Sequence, residues 1–309
     1  MKVYYHLEEF PKVHRAVVTS GTFDGVHLGH QRILQKLCTL ANEVGGQTVV
    51  LTYYPHPRYV LFPEKTHELK LLHTLEEKII HLSKHNIQHL IILPFTYELS
   101  QMSSHDFIQK ILVNALQTYK LVIGYDHRFG KNREGSFEYL QKNAHLFGFS
   151  VEEIPRYDIE HVAVSSTKIR QALAQGNVEI AKQFLGYAYH LSGIVVKGDQ
   201  LGRTIGFPTA NLSVQDPTKL IPGDGIYAVT VTIENTHYHG MCYLGKRSSL
   251  TDNSHRIELH IFDFDDNIYG KQVTVFFQNY LRGEMRFSSL QEMKAQLLED
   301  KQKALALLS

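Results

Sequence analysis

From Ala16 to about Leu185, short β-branched runs alternate with longer amphipathic ones. Ala16-Val17-Val18-Thr19-Ser20 reads as a strand. Over 31–44, Ile33, Leu34, Leu37 and Ala41 recur at helical spacing until Gly45-Gly46 ends the pattern. The next strand is expected at 48–52. Helical patterns at 75–84, 104–116 and 167–185 then interleave with strands at 89–93, 121–124 and 150–154. Such β-α alternation predicts a doubly wound, Rossmann-like parallel sheet, whose ligands sit beyond the carboxyl ends of the strands. Chemistry is therefore expected in the loops after Ser20, Thr52 and Gly124.

Past Gly186 short alternating strands dominate, around 194–196, 227–231, 257–264 and 273–277, separated by Gly, Asp, Asn and Pro. This pattern predicts an antiparallel β-barrel or sandwich. A terminal helix over 290–308 carries an apolar stripe at Leu290, Met293, Leu297, Ala304 and Leu308, interrupted by Lys301. The fold class is thus α/β plus β, with domains at 1–185 and 186–309.

With 43% hydrophobic and 20% charged residues among 309, the chain has the composition of a packed, enzyme-sized protein rather than a disordered one. Lys and Arg number 32 against 31 Asp and Glu, so no basic field invites nucleic acid. No apolar run approaches the roughly 18 residues that span a bilayer, and the start Met1-Lys2-Val3-Tyr4-Tyr5-His6 lacks the apolar core of a signal peptide. A cytoplasmic protein without membrane contact is expected; oligomeric state is left open. Cys38 and Cys242, far apart and outside any CxxC, are expected to be buried thiols. Of the 19 histidines, His27 with His30 and His237 with His239 could each offer two nitrogens to zinc. No cysteine or HExxH helix completes either set, so no transition-metal site is expected.

The loop Gly21-Thr22-Phe23-Asp24-Gly25-Val26-His27-Leu28-Gly29-His30-Gln31 joins the first strand to the first helix. Its glycines let backbone N–H groups approach an anion, and the helix start adds a favourable dipole. The spacing fits neither GxGxxG nor GxxxxGK[ST]. His27 and His30 supply donors where a P-loop would have lysine. The loop resembles the His-x-Gly-His signature of the nucleotidyltransferase superfamily. Three further segments follow: Tyr53-Tyr54-Pro55-His56-Pro57, Gly124-Tyr125-Asp126-His127-Arg128-Phe129-Gly130, and Ser165-Ser166-Thr167-Lys168-Ile169-Arg170. Ser165 or Ser166 can cap the helix that follows, and Arg170 could reach a phosphate from its first turns. In this order the segments resemble the FMN adenylyltransferase module of bacterial bifunctional FAD synthetases.

In the second half, Lys197-Gly198-Asp199-Gln200-Leu201-Gly202-Arg203-Thr204-Ile205-Gly206-Phe207-Pro208-Thr209-Ala210-Asn211 is punctuated by glycine. On an extended backbone Thr209 and Asn211 face the same way, so both oxygens could meet one hard cation such as Mg²⁺. Glu258 lies opposite the apolar positions Ile257, Leu259 and Ile261, where a carboxylate can accept a proton from a substrate hydroxyl. With Asp224-Gly225-Ile226-Tyr227, Tyr269-Gly270 and Leu281-Arg282, these motifs resemble the riboflavin kinase module.

The double resemblance covers nearly the whole chain and implies a bifunctional riboflavin kinase and FAD synthetase. Its implied substrates and products are ATP, riboflavin, FMN and FAD, with Mg²⁺ as the metal. By this resemblance His27, His30, Arg170 and Glu258 are catalytic. Gly21, Thr22, Phe23, Asp24, Gly29, Pro55, His56, Pro57, Asp126, Arg128, Ser165, Ser166 and Thr167 bind nucleotide in the first module, and Gly198, Gly206, Thr209 and Asn211 in the second. Thr209 and Asn211 also hold the metal, and Arg282 binds flavin. The family commonly shows Gly-Met-x-Asn-Ile-Gly-x-Arg-Pro-Thr where this chain has Gly240-Met241-Cys242-Tyr243-Leu244-Gly245-Lys246-Arg247-Ser248-Ser249, and often Phe where it has His127.

Two rivals predict different residues. A flavin-binding sensor on retired catalytic domains should lack the catalytic side chains, which are present. A class I aminoacyl-tRNA synthetase relative should carry a basic tRNA-binding surplus, which is absent.

Overall fold

The computed structural model describes residues 1–66, 68–124, 128–154, 164–198, 202, 205–246 and 255–309. Contacts divide the chain into two units, Met1–Ser166 and Thr167–Ser309.

The first unit is a six-stranded sheet of β1 (Lys2–Tyr4), β2 (Ala16–Ser20), β3 (Gln47–Tyr54), β4 (His89–Pro94), β5 (Thr118–Gly124) and β6 (Ser150–Ile154). The order is β1-β4-β3-β2-β5-β6, and every neighbouring pair is parallel. The chain moves outward from β2 through β3 to β4, then returns to lay β5 on the other side of β2. That reversal is a topological switch point, which leaves a crevice beyond the carboxyl ends of β2 and β5.

Successive residues of each strand feed opposite layers. Ala16, Val18, Val49, Leu51, Leu121 and Ile123 pack with Phe107, Ile108, Ile111 and Leu112. Val17, Val50, Leu90 and Val122 pack with Leu34, Leu37, Leu40 and Ala41 of α1 (Leu28–Glu43). Each fully buried leucine in this stripe contributes about 2 kcal/mol. The sheet is therefore covered on both faces. Two shorter helices follow, α2 (Pro57–Leu61) and α3 (Leu75–Ser83).

Helix α1 starts at Leu28, ahead of the position expected from its apolar spacing, because His27 takes the N-cap. The 104–116 pattern forms a short α-helix, Ser104–Asp106, followed by π-helical turns over Phe107–Ala115. The 167–185 pattern splits into α4 (Ser166–Ala174) and α5 (Val178–Leu185). Between them Gly176 adopts φ 77°, and a side chain there would press on Tyr227 and Tyr280. Cys242 is buried, but Cys38 is only half-buried, its thiol donating to the His85 carbonyl at 3.4 Å.

The second unit is a closed antiparallel barrel in the order β10-β11-β8-β7-β12-β9. Its strands are β7 (His190–Val196), β8 (Ala210–Ser213), β9 (Gly225–Ile233), β10 (Thr236–Lys246), β11 (His255–Ile261) and β12 (Gln272–Arg282). Closure resolves the choice between barrel and sandwich. Helix α6 (Leu290–Leu308) packs Met293, Leu297, Ala304 and Leu308 against Phe207, Met241 and Phe262. Leu290 does not join them and is 66% exposed. Asp300 is wholly buried instead, forked by Arg282 at 2.7–3.0 Å.

Helices α4 and α5 are fastened to the barrel. Glu179 accepts from the Asn279 amide at 3.2 Å and the Tyr280 N–H at 2.9 Å, and the Gly223 N–H donates to the Leu173 carbonyl at 2.8 Å. These bonds move the contact division to 166/167, whereas the hydrophobic pattern changes at 185/186.

Candidate active sites

The loop that leaves β2 at the switch point turns through three residues with positive φ, Phe23 (48°), Gly25 (81°) and Val26 (36°). Two of them carry side chains, a backbone strain that proteins retain chiefly where function requires it. The turn brings His27 to the N-cap of α1, where its Nδ1 accepts the His30 N–H at 3.4 Å. The two imidazoles stack with centroids 3.7 Å apart and planes 15° from parallel, and Phe23 lies 5.2 Å from His30. Gly29, one position before His30, is buried within the helix start.

Burial holds the His30 pKa well below the ordinary 6.5, with His27 and Lys78 pushing the same way. His30 is therefore a neutral imidazole at pH 7, and it acts by donating a hydrogen bond rather than by carrying a charge. Its Nδ1 is buried without a hydrogen-bond partner among the described residues.

Asp24 is 2% exposed. Its carboxylate accepts from the Leu72 N–H at 3.0 Å and the His73 N–H at 3.2 Å, and its carbonyl accepts from Ser166 Oγ at 3.0 Å. Asp24 thus clamps the lead-in to α3 onto the loop. The Thr22 carbonyl accepts from Thr52 Oγ1 at 3.2 Å, and the Gly21 N–H donates to the Leu51 carbonyl at 3.0 Å. The loop is tied to β3 as well.

The other expected residues of this unit are placed differently. Pro55 is exposed, Pro57 opens α2, and His56 caps it by accepting the Arg58 N–H at 3.2 Å. Arg128 is exposed, 3.6 Å from Glu138. Asp126, with neighbouring Tyr125 and His127, lies outside the described residues. Ser165 is exposed, while Thr167 and Arg170 stand on the first turns of α4, beyond the contact division.

Helix α3 adds residues that spacing did not single out. Thr74 and Glu77 form a capping box at its start. Lys78 and His81 are buried on one face, and His81 stacks on His73 with centroids 4.4 Å apart. A lysine and a histidine three positions apart on a helix was the available signal, and it reads equally well as a solvated face.

In the barrel, strand register assembles the site. Glu258 on β11 pairs across to Asn211 on β8 and to Tyr243 on β10, so the three side chains stand in a row on one face. Ile257, Leu259 and Ile261 fill the opposite face and are buried. Thr209 precedes β8 and Asn211 lies within it, both half-buried. A Cβ on Gly198 would collide with the Asn211 amide, so glycine leaves the room this amide occupies. Two neutral oxygens in such a cradle fit a hard cation that takes most of its ligands from phosphate and water. Among the described residues no three His, Cys, Asp or Glu side chains cluster as a metal site.

Glu258 is itself engaged, with Arg256 at 3.1 Å on the same strand face. The Tyr243 ring lies over Gly245 and its hydroxyl donates to Glu284 at 3.0 Å. Burial and Glu284 push that hydroxyl up to about 12. Ser248 and Ser249 lie outside the described residues. A cavity of about 470 Å³ opens beside Gly206, Phe207 and Pro208, walled by His260, Phe264, Lys294 and Lys301. His260 Nδ1 bonds the Pro208 carbonyl at 2.8 Å, which fixes one wall. Arg282, besides its fork to Asp300, donates Nη1 to the Gly283 carbonyl at 3.0 Å.

A family model described as FAD synthetase matches residues 10–168, and one described as riboflavin kinase matches residues 185–308. The chain is 37% identical over 290 residues to the bifunctional riboflavin kinase/FMN adenylyltransferase of Haemophilus influenzae, covering 94% of this chain and 93% of that one. To the protein of the same name from Escherichia coli K12 it is 35% identical over 285 residues, or 92% and 90% of the two chains. A solved Streptococcus pneumoniae structure, named a macrolide-efflux protein, is similar with a TM-score of 0.89 at 30% identity over 97% of both chains. The efflux name belongs to that protein; among the described residues here no helix is long and apolar enough to cross a membrane.

Proposed function

The chain belongs to the bifunctional riboflavin kinase/FMN adenylyltransferase family, and on that premise we propose which of its residues perform each reaction. It phosphorylates riboflavin to FMN with ATP, then joins FMN to the AMP portion of a second ATP, giving FAD and pyrophosphate. The functional division is taken at 185/186, the adenylyltransferase before it and the kinase after.

In adenylyl transfer an oxygen of the FMN phosphate attacks the α-phosphorus of ATP, and the bond to the departing pyrophosphate breaks. The attacking phosphate is already ionised, so no general base is needed. What the site must supply is stabilisation of the charge building on the phosphorus oxygens. His27 and His30 donate to those oxygens at the start of α1, whose dipole has the right sign. Gly21, Thr22, Phe23, Asp24 and Gly29 hold the loop in its strained turn. Pro55, His56, Pro57, Asp126, Arg128, Ser165, Ser166 and Thr167 complete the nucleotide site, and Arg170 contributes a guanidinium to its phosphates. The observation that carries this assignment is the stacked histidine pair at the switch point, His27 buried and His30 half-buried.

In the kinase reaction Glu258 takes the proton of the terminal ribityl hydroxyl as its oxygen attacks the γ-phosphorus, and ADP leaves. Its Oε1 faces Arg256, which leaves Oε2 for the hydroxyl. Thr209 Oγ1 and the Asn211 amide oxygen are the donors for Mg²⁺, which when bound neutralises triphosphate charge. Gly198 and Gly206 allow the nucleotide close approach, and the cavity beside Phe207 and Phe264 would take the purine. Arg282 borders the flavin, oriented by Asp300.

The working compartment is the cytoplasm, where ATP is supplied and both free thiols stay reduced. Incubating the purified protein with riboflavin, ATP and Mg²⁺, then separating flavins by chromatography, should show FMN followed by FAD. Chelating Mg²⁺ should abolish both products, and activity persisting without it would reject the Thr209–Asn211 assignment.

A further inference from the structure

Lysine is almost never buried without a counter-charge, because desolvating an ammonium is costly. Lys78 is 6% exposed, on the early turns of α3. Among the described residues its ammonium has no hydrogen-bond or ion-pair partner. Two groups of the loop beyond β2 nevertheless sense its charge. Asp24 favours the protonated ammonium, opposing the effect of burial, and the ammonium in turn disfavours protonation of His30. Asp24 lends counter-charge from a carboxylate that also accepts the Leu72 and His73 N–H groups.

A mostly buried lysine on α3, whose lead-in Asp24 clamps to the loop, and a buried imidazole nitrogen at that loop's helix start thus act on one another, the lysine without an ion pair and the nitrogen without a hydrogen bond among the described residues. Both can donate. What satisfies an ammonium and an imidazole N–H together is an anion with several acceptor oxygens, held in a low-dielectric crevice where each contact counts for more than in water.

We propose that Lys78 is a further phosphate-binding residue of the adenylyl-transfer site, its ammonium contacting the triphosphate of ATP and then the departing pyrophosphate. The inference rests on the assignment of His27 and His30 given above. No bond to Lys78 forms or breaks; it contributes a fixed positive charge whose desolvation is already borne by the fold. Phosphate oxygens would add to the counter-charge that Asp24 supplies.

The test is Lys78→Met, which keeps the length of the side chain and removes the charge, assayed beside His30→Ala. FMN adenylylation and its reversal by pyrophosphate are measured, with riboflavin phosphorylation on the same preparation as a control for folding. The KM for ATP and for pyrophosphate should each rise about ten- to a hundredfold, as expected for losing a hydrogen bond to a charged group. The KM for FMN and the kinase rate should stay unchanged. The melting temperature should hold or rise, because an unpaired buried charge has been replaced by an apolar chain.

Unchanged KM for ATP and pyrophosphate, or a lowered melting temperature without a KM effect, would show a structural lysine and overturn the proposal. If His30→Ala is also silent, the histidine assignment itself falls; if His30→Ala impairs adenylylation and Lys78→Met does not, only the Lys78 role is lost. Should Lys78→Met fail to fold, the wild-type enzyme labelled with ¹⁵N-lysine carries the test. Pyrophosphate should bring out a slowly exchanging ammonium resonance, and its absence at saturating pyrophosphate would reject the contact.

Discussion

The two units handle phosphate with opposite constructions. Beyond β2, the polar groups are buried and held by a strained loop: His27, Asp24, Lys78, His73 and His81 are each less than a tenth exposed. In the barrel, Asn211, Glu258 and Tyr243 are aligned by strand register, half-exposed, and Glu258 and Tyr243 already bond to Arg256 and Glu284. A site made from loop backbone depends on the bonds that pin the loop. One made from register survives any substitution that keeps the strands paired, and loses only the chemistry of the side chain replaced.

The largest separation should come from Glu258→Gln, which keeps shape and one acceptor oxygen but cannot take a proton. FMN formation from riboflavin should fall a hundredfold or more, the usual cost of losing a general base, while FAD formation from supplied FMN persists. A kinase rate within about threefold of wild type, far from that loss, would remove Glu258 from the mechanism.

His30→Ala should reverse the pattern. FMN adenylylation is expected to drop about a hundredfold, the typical effect of deleting one transition-state donor, with riboflavin phosphorylation intact. Equal losses in both assays would mean that the two sites are not independent.

Gly198→Ala probes the barrel more gently. Its Cβ meets the end of the Asn211 side chain rather than backbone, so the amide swings away and the fold remains. The kinase rate should fall about tenfold through misplaced phosphate ligands, with unchanged adenylylation and thermal melting. Loss of the melting transition would show that this glycine serves the barrel's packing instead.

The smallest effect concerns pH. Burial holds His30, His85 and His89 in the first unit, and His260 in the second, below their ordinary 6.5. As pH falls below 6.5 the unfolded chain takes up protons that the folded units refuse, so stability declines towards the folded-state pKa values. The first unit, with more such groups among the described residues, should lose more. Denaturant unfolding at about pH 7.5 and 5.5, spanning the histidine range, checks this; a barrel that weakens more would contradict it.

The parallel sheet was legible because central strands buried on both faces are short, β-branched runs, as Ala16–Ser20 shows. Strand β10 escaped because His237, Tyr238 and His239 mask its alternation, and β8 because Ala210–Ser213 is too short to show a period. The histidine loop stood out because His27 and His30 flank a glycine at a strand-to-helix turn. Asp24 as a clamp did not, since the N–H groups it binds lie 48 and 49 positions away. Nor did the hold of Asp300 on Arg282, since the stripe is interrupted in sequence at Lys301 and the carboxylate beside it pairs 18 positions away. Chemistry carried by a local motif shows in sequence, whereas pairing across the fold requires coordinates.

Barrel closure has a further consequence for how the protein fails. A closed ring of strands exposes no free row of backbone donors and acceptors, whereas the parallel sheet ends, among the described residues, in β1 and β6. Strand β1 has only three residues. Strand β6 carries Glu152, which draws Lys36 and Lys120 to 3.3 and 4.0 Å and sets charge along that margin. Resistance to intermolecular strand pairing thus rests on a few charges at one margin. Neutralising Glu152 and neighbouring Glu153 should make the adenylyltransferase sheet, not the kinase barrel, the place where heated protein begins to aggregate.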